Sequence, residues 1–154
     1  MRARDWFDHI RADVVECVRL ERDLQDLRLQ TGPRGQTFDA TGHSSSATDG
    51  SAAILRVVQA EEELERKQAI LNATIDEALE VLYGEDGHGG LARAKGSATA
   101  DCICGYYLMG MTWRKVADDI TRPGSEDGSQ WCMRKAHRGL EFIDRIGIAT
   151  LTKL

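Results

Sequence analysis

Gln130, Arg134, Lys135, His137 and Arg138 are the residues with the clearest chemical potential. They follow Ser129 in SQWCMRKAHRGL, a stretch that holds no carboxylate. Three permanent cations at helical spacing suit phosphate oxygens, and a glutamine and an arginine near a helix start suit base edges in a major groove. The same residues also make an ordinary solvated charged face, so the neighbouring elements decide the reading. Upstream, TWRKVADDI opens with Thr112, whose hydroxyl can cap a helix. It sets Trp113, Val116, Ala117 and Ile120 on one face, with Arg114 and Lys115 beside them. Ser129 is expected to cap the second helix, turning Trp131 or Cys132, Ala136, Leu140 and Ile143 inward. Two helices around a polar turn, the second one basic, form the layout of a helix-turn-helix DNA reader. The turn, TRPGSEDG, exceeds the three or four residues of the simplest such motif.

No second constellation competes with this one. Asp118 and Asp119 are adjacent and diverge on a helix, and His9, His43, His88 and His137 have no nucleophile at a recognisable spacing. Thr31, Gly32 and Gly35 lack the lysine and hydroxyl of a phosphate-binding loop. Cys102, Cys104, Cys132 and His137 make four metal ligands only on paper. Two cysteines two residues apart on a helix point to different sides, and buried thiols ordinarily act as small hydrophobes. A protein that is not an enzyme, with no cofactor and no metal, is expected.

The elements that must position the basic stretch are helical. Ala3, Trp6, Ile10, Asp13, Cys17, Leu20, Leu24 and Leu27 form a heptad seam, which Val14 and Val18 widen. Ile54, Val57, Glu61, Leu64, Gln68, Leu71, Ile75, Ala78 and Leu82 form a second seam, stopped at Gly84. Glu61 and Gln68 interrupt it, either facing a polar partner or lying at a solvated edge. Between the seams, residues 31–50 are rich in Gly, Ser, Thr and Asp and read as a flexible loop. The seams predict an antiparallel helical hairpin over 1–84, with helices at about 3–30 and 51–83. EDGHGG, residues 85–90, marks the boundary to a three-helix module over 91–154. Its first full helix runs from about Ser97 to Met109 on Ile103, Tyr106, Tyr107 and Leu108, and ends at Gly110. The fold class is all-α. The C-terminal IGIATLTKL can extend the last helix, pack on the hairpin or dock a partner.

The 154-residue chain carries a formal charge of −5, which argues against indiscriminate coating of nucleic acid. The charge is uneven: residues 1–97 hold 12 Lys+Arg against 18 Asp+Glu, net −6, and residues 98–154 hold 8 against 7, net +1. Four cysteines without framework spacing, an N-terminus without a secretory apolar core and no apolar run of membrane length predict a soluble, cytoplasmic protein with reduced thiols.

The order of features, two heptad helices and then YYLMGMTWRKVADDI and SQWCMRKAHRGLEFID, resembles phage late-transcription regulators of the ArpU/RinA kind. Their C-terminal part resembles region four of bacterial sigma factors. The matching positions are Tyr107, Gly110, Trp113, Val116 and Ala117, then Ser129, His137 and Leu140. The resemblance implies a sequence-specific, phage or prophage DNA-binding protein acting on transcription, with double-stranded DNA and RNA polymerase as partners. The broad apolar stripes predict a homodimer through the hairpin. Two alternatives stay open: a phage small terminase subunit, which also joins a helix-turn-helix to a helical oligomerisation segment, and a helical interaction protein that never touches DNA.

Overall fold

The structure is a computed structural model that describes residues 1–31, 48–120 and 127–152. It is all-α, with no strand among the described residues. The helices are α1 (Ala3–Thr31), α2 (Thr48–Tyr83), α3 (Gly90–Lys95), α4 (Ser97–Ile103), α5 (Trp113–Ile120), α6 (Gly128–Ile146) and α7 (Ile148–Leu151). The loop expected over 31–50 is shorter at both ends, because Thr31 closes α1 and Thr48 opens α2. Residues 32–47, where the rest of that loop falls, lie outside the described residues. No helix of the described chain is long and apolar enough to cross a membrane.

The chain divides into two compact units, Met1–Val15 with Leu71–Leu154, and Glu16–Ile70. This division differs from one at 85–90. EDGHGG is a tight turn inside the first unit, where Gly89 donates to Tyr83 O at 2.6 Å and Gly84 to Glu80 O at 2.7 Å.

In the second unit, Glu16 pairs with Lys67, Glu21 accepts from Gln68 at 2.6 Å, and Arg28 Nη2 lies 2.5 Å from Glu61 Oε1. Glu16 and Glu21 meet Lys67 and Gln68 while Arg28, further along α1, meets the earlier Glu61 of α2, so the two segments run antiparallel. Leu24 and Leu64 are buried between the polar pairs. Glu61 and Gln68, the two interruptions of the second seam, thus face polar partners on α1. Ile54, expected on that seam, is instead 62% exposed.

The first unit carries a larger core, in which Phe7, Ile10, Val81, Leu82, Leu91, Ile103, Val116, Ile143 and Leu151 are fully buried. Asp13 faces solvent, and the adjacent Val14 takes the inward place, reaching Gly110. Asp144 of α6 accepts the Ala3 N–H at 2.5 Å. That carboxylate satisfies one of the orphan donors at the start of α1 and complements the helix dipole there. The tail turns at Gly147, and α7 returns Leu151 to the core.

After α4 the chain winds as a π-helical turn over Cys104–Leu108, so the expected 97–109 helix is present but changes pitch. Met109 N–H reaches back to Cys104 O at 3.0 Å, and Met111 N–H to Gly105 O at 3.0 Å. Gly110, at φ 66°, makes the reversal. A glycine-terminated α-helix normally closes one residue tighter, on what would be Tyr106 O. Here that carbonyl is left over, and the Arg11 guanidinium takes it together with Met111 O at 3.1 Å. The same guanidinium lies 3.7 Å from the Tyr106 ring, which stacks on Trp113 at 3.8 Å and 7°. Arg11→Ala strands two carbonyls and removes the end of that stack. We expect a loss of roughly 2–4 kcal/mol, measured by urea unfolding; a loss under about 1 kcal/mol would mean that water replaces the guanidinium.

Candidate nucleic-acid interface

The interface is built on α5 and α6. Thr112 Oγ1 accepts the Lys115 N–H at 3.3 Å, the N-cap bond expected of it. Val116 and Ala117 are buried, Trp113 and Ile120 half-buried, and Thr112, Arg114 and Lys115 exposed. The expected long turn from Arg122 to Gly128 lies outside the described residues as far as Glu126. Asp127 holds the N-cap position of α6, without a side-chain cap bond, and Gly128 is its first residue. Ser129 is therefore not the cap. It sits half-buried in the first turn, because the run SEDGS offers several cap-forming residues and packing selects the earlier one.

Cys132, Ala136, Leu140 and Ile143 point inward as the spacing predicts, joined by Gly139. A β-carbon at Gly139 would stand 2.8 Å from Thr99 Cγ2 and 2.9 Å from Ile103 Cδ1, so the missing side chain lets α6 close on α4. Cys132 hydrogen-bonds to Cys102 across the same contact, and burial pushes both thiols above their usual range. Protonated and enclosed, they pack and do not react. Among the described residues no group of three or more His, Cys, Asp or Glu gathers as a metal centre requires.

Outward, Gln130, Arg134, His137 and Arg138 are exposed. Lys135 is half-buried at the flank, its Nζ 5.3 Å from the Trp131 ring. Among the described residues no carboxylate pairs with Arg114, Lys115, Arg134, Lys135 or Arg138. Gln130, Arg134, His137 and Glu141 share one stripe at four- and three-residue steps. Glu141 lies 3.2 Å from His137 and places an acid on the outer face one turn beyond the basic cluster. The basic cluster of α6 thus ends at Arg138, and Arg145 stands apart from it in the last turn. Glu141 was readable from its spacing to His137; Arg11, whose partners lie 95 and 100 residues away, left no local signal.

What these elements define is an all-α protein whose cations, on a capped helix and on the helix packed against it, pair with no acid among the described residues. Comparison with family models, curated proteins and solved structures finds no match to the chain.

Proposed function

We propose that this chain is a sequence-specific DNA-binding regulator of transcription, of phage or prophage kind, that lays α6 in a major groove. The observation that carries the reading is the set of five cations on α5 and on residues 134–138 of α6, Arg114, Lys115, Arg134, Lys135 and Arg138, none paired with an acid among the described residues. The position of Gln130 and Arg134 in the N-terminal half of α6 suits a recognition helix, whose N-terminal residues meet the bases. Gln130 and Arg134 read base edges, while the other cations and the Thr112 end of α5 hold phosphates. RNA polymerase is the proposed protein partner, in line with the resemblance to sigma region four. Exposed apolar side chains at Val18, Leu29, Ile54, Leu55 and Val58 support a dimer through α1 and α2.

The experiment is a duplex titration at several salt concentrations on a sample sized by light scattering. Four phosphate-holding cations give a log–log salt slope of about −3.6, so affinity falls about 150-fold between 50 and 200 mM salt, with a dimer in solution. No duplex binding at low salt would overturn the proposal, and a ring of many copies would favour DNA packaging instead.

A further inference from the structure

A cleft of about 220 Å³ opens in the first unit, where the end of α2, the π turn and α5 meet. Met109, Met111, Val116 and Ile120 give it an apolar lining, and Asp101 and Asp119 are its charged groups. Tyr83, also in the wall, donates its hydroxyl to Asp101 Oδ1 at 2.7 Å, which fixes that carboxylate at the cleft. Among the described residues no cation lines the space. Burial raises the Tyr83 phenol and the Cys104 thiol above their usual ranges, so both stay neutral at the cleft. Gly105 keeps the floor open: a β-carbon there would stand 3.0 Å from Val116 Cγ2 and meet Met111 Sδ at 3.7 Å.

This combination selects a class of ligand. An anion is repelled by both acids. A hydrated metal ion gains nothing from methionine, valine and isoleucine, and no third ligating group joins the two carboxylates among the described residues. A molecule with an ammonium at one end and a small apolar body at the other uses both features. The volume lies below the roughly 300–1,000 Å³ of pockets for drug-sized molecules, which limits the body to about one ring. Flexible methionines at the rim, Met109 being 60% exposed, adapt to its shape.

We infer that this cleft binds a compact organic cation, its ammonium donating to Asp101 and Asp119 and its apolar body resting on Met109, Met111, Val116 and Ile120. The site is separate from the cations of α6 and does not depend on the DNA reading.

The test uses the full chain with methyl-labelled methionine and three probes of one shape: phenethylamine, 2-phenylethanol and 3-phenylpropionate. Phenethylamine is expected to shift the Met109 and Met111 methyl resonances saturably. The alcohol should bind at least about tenfold more weakly and the carboxylate not at all, as charge-assisted hydrogen bonding to two acids requires. Asp119→Asn, at an exposed position, should weaken the amine about tenfold with the helical circular dichroism unchanged. Absence of saturation by the amine, equal binding of the alcohol, or an Asp119→Asn variant that binds as well would each overturn the proposal.

Discussion

Arg134→Ala combined with Lys135→Ala is expected to weaken duplex DNA binding about 60-fold at 0.1 M salt and to reduce the salt slope by about 0.9. A phosphate held by a cation releases close to one counterion, so losing the Lys135 contact gives about eightfold at that concentration, and losing the Arg134 base-edge contact, at roughly 1 kcal/mol, gives the rest. Arg134 is exposed, and Lys135 lies at the flank of α6 near the Trp131 ring. The double variant should therefore unfold within about 1 kcal/mol of the parent. Fluorescence anisotropy against salt checks the binding, and urea unfolding checks the fold. Unchanged affinity would show that α6 is not the helix that meets DNA. Arg134→Ala alone should also flatten sequence preference in a random-duplex selection, because an arginine at a base edge contributes discrimination where a phosphate contact does not.

The largest expected effect on stability belongs to a glycine. Gly90 starts α3 at φ 59°, and a β-carbon there would stand 2.6 Å from Val81 O and 2.9 Å from both Gly84 N and Leu82 C. All three neighbours are backbone, which cannot swing aside as a side-chain tip can. Gly90→Ala must pull α3 from the end of α2 or strain both, at about 3 kcal/mol or more. In a chain of this size that lowers the melting temperature by about 6–12 °C. Gly87, three residues earlier in the same turn, has φ 76° and open space around its missing side chain. Gly87→Ala should cost only the left-handed strain, about 1 kcal/mol. Calorimetry on the two variants separates close packing from backbone preference; equal losses would mean that packing at Gly90 adds nothing.

What was legible in the sequence was what local chemistry decides. The heptad seams fix the long helices to within a few residues. The Thr112 cap and the Val116–Ala117 face follow from a hydroxyl and a helical period that act within one turn. Less legible were choices that tertiary packing makes. Asp127 and Gly128 precede Ser129 at the start of α6, and all three types are acceptable at a helix start, so composition could not rank them. Ile54 fits the heptad period yet is exposed, because a period says which residues share a face and not how far the partner helix extends along it. The π turn gives no sequence signal beyond glycines at 105 and 110. With it went the role of Arg11, the shape of the cleft beside Tyr83, and the pairing of Asp101, none of which exists until distant segments meet.

The π turn also bears on how this chain can change length. Removing one residue from an α-helix turns every later side chain by about 100° and ordinarily ruins the packing beyond it. Cys104–Leu108 already holds one residue more than a regular helix would use. A single deletion there lets the turn tighten into ordinary α-helix while Gly110 and α5 keep their places. The Tyr106 position would then regain a partner on its own helix, and the Arg11 guanidinium would become expendable. An insertion finds no such slack, so tolerance to changes of length at this point runs in one direction only.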